Sequence, residues 1–245
     1  MKSSTLQLKV RIAVLLFLEF AVWGSYLVSM GIYLSSVGLV SDIFWFYTVQ
    51  GLVSLFMPAI VGIVADRWVP AQKMLSLCHL LAGGFMILAG YYGMNAGQDV
   101  NFGTLFTFYT LSVAFYMPTI GLSNSVAFNA LDKNGLDTIK DFPALRTFGT
   151  VGFIVAELFV NFPQYPDTYM QFITSGVLSL LLMSYALTMP HCPVKASQGG
   201  SLADSLGLSA FRLFKRKKMA IFFVFSMLLG VSPVSYTHLT LPTTP

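Results

Sequence analysis

The chain has 245 residues, of which 56% are hydrophobic and only 10% charged, with 22 Phe, 11 Tyr, 12 Met and 20 Gly. Soluble domains carry about 25% charged residues, so a disordered chain, a disulfide scaffold and an ordinary water-soluble enzyme are excluded: too few polar side chains exist to clothe a globule in water. The net charge of +4, from 14 Lys and Arg against 10 Asp and Glu, sits in short loops between apolar runs, where it speaks to orientation in a membrane and not to a nucleic-acid partner.

A bilayer-crossing helix needs about 20 mostly apolar residues. Six such runs lie at 12–37, 43–64, 74–94, 102–128, 144–162 and 169–189, and a seventh begins at 219. The first run is too long for a signal peptide and no small-residue cleavage site follows it, so it reads as a retained span. Cys78 lies in the third run and Cys192 in a loop. The pair has neither metal spacing nor a disulfide framework, so no metal and no cofactor is expected.

The loops test this division. Every Lys and Arg lies before the first run, between runs 2 and 3, between 4 and 5 or just inside 5, or between 6 and 7. The other three loops hold Asp42, Asp99 and Asp167 with no Lys or Arg. By the positive-inside rule the N-terminus and the 190–218 loop are cytoplasmic.

That loop opens with Pro190, Pro193 and Gly199-Gly200, then alternates Leu202, Leu206, Leu208, Phe211 and Leu213-Phe214 with polar residues before Lys215-Arg216-Lys217-Lys218. It predicts an amphipathic helix lying at the cytoplasmic interface. The domains expected are therefore a six-helix bundle over 1–189, a cytoplasmic linker over 190–218, the start of a seventh span over 219–231, and a tail over 232–245. The tail is rich in Pro and Thr and cannot continue a helix. It reads as non-native sequence that cuts the seventh span short, since a span abandoned in lipid leaves carbonyls unpaired.

Charge inside a membrane costs about 2.5–3.5 kcal/mol at a helix centre, so it marks function by default. Glu19 in run 1, Glu157 in run 5 and Arg146 at the mouth of run 5 qualify. Arg146, Thr150, Phe153 and Glu157 fall at i, i+4, i+7 and i+11, a stripe about 60° wide at 100° per residue. It offers a fork of donors, a hydroxyl, an aromatic face and a carboxylate, a set suited to a ligand with a flat ring and several hydroxyls. Gly149 and Gly152 lie off the stripe, where small residues let helices approach closely. Glu19, Trp23, Tyr26, Met30 and Tyr33 repeat with similar spacing in run 1, either as packing or as a cavity wall. Pro118 predicts a kink in run 4. His79 in run 3 has no carboxylate three or four residues away and reads as structural, which argues against a membrane-embedded enzyme; no catalytic residue is assigned.

Between runs 2 and 3 stands Gly62-Ile-Val-Ala-Asp66-Arg67-Trp68. It resembles the G-x-x-x-D-R signature of the major facilitator superfamily, though Trp68-Val-Pro70 replaces the glycine and basic pair that follow there. The resemblance gives Gly62, Asp66 and Arg67 a role in gating the cytoplasmic opening, with the aspartate capping a helix end. A finer resemblance is to bacterial nucleoside permeases of the nucleoside:proton symporter family. It is carried by Phe17-Leu-Glu-Phe-Ala-Val-Trp-Gly24, Phe56-Met-Pro-Ala-Ile-Val-Gly-Ile-Val-Ala-Asp66, Phe115-Tyr-Met-Pro-Thr-Ile-Gly-Leu-Ser-Asn124, Asp141-Phe-Pro-Ala-Leu-Arg-Thr-Phe-Gly-Thr-Val-Gly-Phe153 and the stretch 213–230. It runs over 6–230 and stops there.

What the resemblance implies is an all-α membrane protein, the six-helix N-terminal bundle of a twelve-helix major facilitator fold plus part of helix 7. It sits multi-pass in the bacterial inner membrane, N-terminus cytoplasmic. Its task is proton-coupled nucleoside uptake by alternating access. Arg146, Thr150 and Phe153 are the nucleoside contacts by that likeness, while Glu19 and Glu157 receive no transferred role. The family's proton-coupling carboxylate belongs to a second half-bundle, the partner this chain lacks, so the fragment is expected to be inactive alone. Two alternatives stay open: a sugar or oligosaccharide:proton symporter of the same superfamily, and a self-associating six-span scaffold.

Overall fold

The computed structural model describes residues 2–162, 167–193 and 215–225, apart from the side chains of residues 2–4 and 66. They belong to two units, Met1–Ala196 and Ser197–Pro245. In the second unit residues 217–225 are helical, where the seventh run begins. The interfacial helix expected within 190–218 and the tail over 232–245 lie outside the described residues, save for the ends of the linker.

The first unit is helical, with no strand among the described residues. Its helices are α1 (Lys2–Gly24), α2 (Met30–Ser36), α3 (Ile43–Arg67), α4 (Ala71–Ala96), α5 (Phe102–Lys133), α6 (Thr138–Asn161) and α7 (Met170–Thr188). From α3 onward each helix coincides with one predicted run, extended where polar residues cap it. The Asn101 side chain accepts from the Thr104 amide to start α5, and Asp137 accepts from the amides of Ile139 and Lys140 to start α6. Five segments, from Val40–Ala65 to Met170–Thr188, are long and apolar enough to cross a membrane.

The first run differs from expectation: it is two helices, not one. After Gly24 the chain passes through turns over 25–29 before α2 begins. The cause is local. Ser25 Oγ donates to the Ala21 carbonyl at 2.7 Å, and such back-bonding by serine, next to a glycine, bends helices; Ser29 Oγ instead donates to Gln171 Oε1 of α7 at 2.9 Å. α5 runs unbroken through Pro118.

Packing in lipid depends on close approach and on hydrogen bonds, since the hydrocarbon offers no hydrophobic drive. Glycines make the closest approaches. A Cβ on Gly83 of α4 would stand 2.9 Å from the Gly176 carbonyl oxygen of α7, and one on Gly24 of α1 would stand 2.3 Å from the Phe153 carbonyl oxygen of α6. Hydroxyls tie the helices to neighbouring backbone: Ser175 donates to the Val22 carbonyl, Ser112 to Ala82 and Ser76 to Met183. The result centres on α1, α4, α5 and α7, with α6 laid along α1 and α3 along α5. α3 and α6 keep most of their apolar surface outward, with Leu55, Phe56, Leu158 and Phe159 all exposed.

Two apolar clusters fill the interior. One gathers Leu8, Ile12, Leu16, Leu75, Leu131 and Leu182 at the end that carries Lys9 and Arg11; the other gathers Tyr26, Tyr33, Phe46, Tyr109 and Phe172 at the opposite end. Between them lies a layer of buried polar side chains at positions 19, 79, 119 and 179.

The basic end is stitched by polar contacts. Lys9 meets Asp141 at 2.7 Å, Arg11 donates to the Thr188 carbonyl, and Lys133 donates to the His191 carbonyl. The Cys192 amide donates to Gln72 Oε1 at 2.9 Å.

Candidate functional site

α6 presents the stripe read from the sequence. Arg146, Phe153 and Glu157 are half-buried and Thr150 is exposed, so the stripe lines the open side of the bundle and not its core. Gly149 and Gly152, off the stripe, face α1: a Cβ on Gly152 would lie 2.1 Å from the Phe17 carbonyl oxygen. This contact sets the rotation of α6 and brings α1 aromatics to the stripe.

The Arg146 guanidinium carbon sits 3.8 Å from the centroid of the Phe20 ring, a cation–π contact. Gly149 makes room for it, since a Cβ there would be 2.7 Å from Nη1. Trp23 stands edge-on to Phe153 with centroids 6.1 Å apart and tilted against Phe20 at 6.3 Å. Its indole Nε1 is buried without a hydrogen-bond partner among the described residues. Arg146, Phe20, Trp23 and Phe153 thus form one wall with two aromatic faces, a fork of donors and an indole donor. It suits a neutral, flat, oxygen-rich ligand; Thr150 adds a hydroxyl at its exposed margin.

Glu19 lies behind this wall, fully buried. Its Oε1 accepts from Thr119 Oγ1 at 2.6 Å, its Oε2 stands 3.1 Å from His79 Nε2, and its backbone carbonyl accepts from Tyr116 at 2.7 Å. His79 Nδ1 is 2.9 Å from Ser179 Oγ, which donates to the His79 carbonyl at 3.0 Å. Glu19 and His79 are both 0% exposed.

This layer corrects one reading from the sequence. His79 looked solitary because its partner was sought along its own helix; the carboxylate comes from α1. The available signal was coarse depth, since positions 19, 79, 119 and 179 all lie within ten residues of the basic ends of their runs. Tyr26 joins the core, edge-on to Tyr109 at 5.9 Å, and borders a packing gap too small for water with Tyr116, Ser112, Ser175 and Ser179. Of the stripe read in run 1 only Trp23 reaches the wall; Met30 and Tyr33, on α2, are core residues.

The motif residues sit apart, at the basic end of α3. Open space surrounds the position a Cβ would take on Gly62, and Arg67 closes the last turn of α3. The side chain of Asp66 lies outside the described residues. α4 begins after Pro70 with no side-chain cap.

The family model described as "Nucleoside H+ symporter" matches residues 6–240, so the likeness continues past Gly230, where the sequence reading had it stop. Nucleoside permease NupG of Escherichia coli (strain K12) is 37% identical over 234 residues, covering 92% of this chain and 53% of that protein. Xanthosine permease of the same organism is 39% identical over 234 residues, with the same coverage. A crystal structure of nucleoside transporter NupG superposes with a TM-score of 0.74 at 37% identity, covering 91% of this chain and 55% of that one. The chain spans about half the length of the curated relatives it matches. It is a multi-pass, all-α membrane protein with the fold of a major facilitator half-bundle, and it belongs to the nucleoside H+ symporter family.

Proposed function

We propose that this chain forms one half-bundle of a proton-coupled nucleoside transporter of the bacterial inner membrane, N-terminus cytoplasmic, working by alternating access and carrying out no catalytic step. The observation that carries the reading is the Arg146 guanidinium held over Phe20 beside the Trp23–Phe153 pair. Arginine presents planar donors to base carbonyl or ribose oxygens, Phe153 stacks on a base, Thr150 meets a hydroxyl and Trp23 Nε1 supplies a further donor. The names of the relatives, nucleoside permease and xanthosine permease, point to the same substrate class.

The outward apolar faces of α3 and α6 would meet the second half-bundle across the substrate path, in the manner of two-bundle carriers whose site lies near the midplane. Gly62, Asp66 and Arg67 would act at the cytoplasmic gate and not on substrate. Glu157, at the far end of the stripe, would lie toward the outer leaflet.

The test is radiolabelled uridine binding to the chain in nanodiscs, wild type against Arg146→Ala, with glucose as competitor. A loss of about tenfold or more in affinity is expected, in line with a charged donor removed from a partly desolvated site. Unchanged binding removes Arg146 from the site, and displacement by glucose assigns the wall to sugars.

A further inference from the structure

No N–H donor of Arg146 meets an acceptor among the described residues, whereas Lys9, Arg11 and Lys133 each meet an oxygen at the basic end of the bundle. A free guanidinium at the mouth of a span snorkels toward the headgroups by default, and a long side chain in a helix leans back toward the N-terminus. Both tendencies draw Arg146 to the basic end, where α6 begins. The side chain goes the other way. Its Nη1 lies across Gly149, one turn further along α6, 2.7 Å from where a Cβ would stand.

Two features hold it there. The Phe20 ring faces the guanidinium, 3.8 Å from Cζ to centroid, and the ring is itself fixed, being 6% exposed and tilted against Trp23 at 6.3 Å. Gly149 leaves the space that both groups occupy, since the same Cβ would also lie 2.7 Å from Phe20 Cδ2. The ring attracts the charge and uses up no donor, so the N–H fork stays available for an acceptor. Ordering a flexible arginine before a ligand arrives removes that entropy cost from binding.

Gly149 differs from Gly152 in what a side chain would strike. At Gly152 the obstacle is the Phe17 backbone, and a side chain there must part the helices. At Gly149 the obstacles are atoms of the Arg146 and Phe20 side chains, which can swing aside. Gly149→Ala should therefore displace the guanidinium and leave the bundle standing.

We propose that Phe20 and Gly149 are positioning residues for Arg146: the ring attracts the guanidinium and the missing side chain admits it, so that the donors are presented at the wall and not at the membrane surface. Phe20 and Gly149 act on the ligand only through Arg146. The effect on ligand rests on the nucleoside reading of the wall; the placement of the guanidinium does not.

The test uses the chain in nanodiscs, with mono-, di- and trifluorinated phenylalanine placed site-specifically at position 20. Fluorine drains the ring's negative face in steps and changes its shape little, so a packing role would not respond. Uridine affinity is expected to fall in the same order, by about threefold or more at the end of the series, the scale of a partly exposed cation–π contact, with thermal unfolding unchanged. The series should have no effect in Arg146→Ala, since the two residues act as one unit. Gly149→Ala should weaken uridine as much as the full series does. NMR reads the placement without ligand: the Arg146 Nε–H signal, assigned by its absence in Arg146→Lys, is expected upfield in the Phe20 ring current and displaced in Gly149→Ala. Affinity indifferent to fluorine, an equal loss with and without Arg146, or a wild-type Arg146 signal at the free-arginine position overturns the proposal; the fluorine series decides even if Gly149→Ala misfolds. A wild-type chain that binds no uridine overturns the nucleoside reading and leaves the NMR to judge the placement of Arg146.

Discussion

Gly152 of α6 lies so close to Phe17 of α1 that a side chain on it would enter the Phe17 carbonyl, with 2.1 Å between Cβ and oxygen. The obstacle is backbone and cannot rotate away. This approach, repeated about two turns further along α1 by Gly24 against Phe153, holds the α6 stripe beside Phe20 and Trp23.

Gly152→Val should therefore force the two helices apart, at a cost of about 1–3 kcal/mol as for other overpacked contacts. Thermal unfolding in detergent measures it. Gly121 of α5 has open space at its Cβ position, so Gly121→Ala should be neutral or slightly stabilising through helix propensity. Equal effects at both positions would mean that α1 and α6 do not meet as described.

The Lys9–Asp141 pair joins α1 to the first turn of α6 at 2.7 Å, with side chains 34% and 24% exposed. Partly solvated pairs couple weakly, by about 0.2–1 kcal/mol. A double-mutant cycle with Lys9→Ala and Asp141→Ala should give a coupling in that range that shrinks with added salt. The charge-neutral variants should consequently assemble normally and lose little stability.

Burial pushes the Cys192 thiol above its ordinary range, opposed by the Gln72 contact and by Lys133. Because the folded state keeps the proton longer than the unfolded chain, this group adds stability at neutral pH that is lost as pH rises through the folded value. Maleimide labelling at neutral pH should be slow, since the thiolate is the nucleophile. Gln72→Ala removes the acceptor of the Cys192 amide and should speed labelling several-fold, read by mass spectrometry; an unchanged rate would mean the contact does not hold the strap after α7 in place.

Orientation can be read in whole cells. Cys78 and Cys192 are both buried, so a new surface cysteine reports against a low background. Gln98→Cys, in the α4–α5 turn, should react with an impermeant maleimide from outside. Ile139→Cys, 84% exposed at the start of α6, should react only after permeabilisation. The reverse pattern would invert the topology drawn from the basic loops.

Much of this protein was legible in one dimension. Apolar length and the placement of Lys and Arg gave the spans, because a bilayer imposes both on the chain locally. The α6 stripe followed from the 100° repeat within one helix, and the family likeness rested on contiguous blocks. The break after Gly24 was missed because hydropathy does not register serine back-bonding.

Contacts between helices were not legible in that way. Periodicity tells which residues share a face but not what the face meets. Close glycine approaches rotate α6 so that Phe20 and Trp23 of α1 complete the wall, and the packing of α1 against α4, α5 and α7 delivers Glu19 to His79. The sequence by itself determined the solvent, the spans and the donor stripe, since these depend on neighbours along the chain. Only the tertiary structure decided that a seemingly solitary histidine has a buried acid for a partner, since that depends on how separate helices turn about their axes and come within hydrogen-bonding distance.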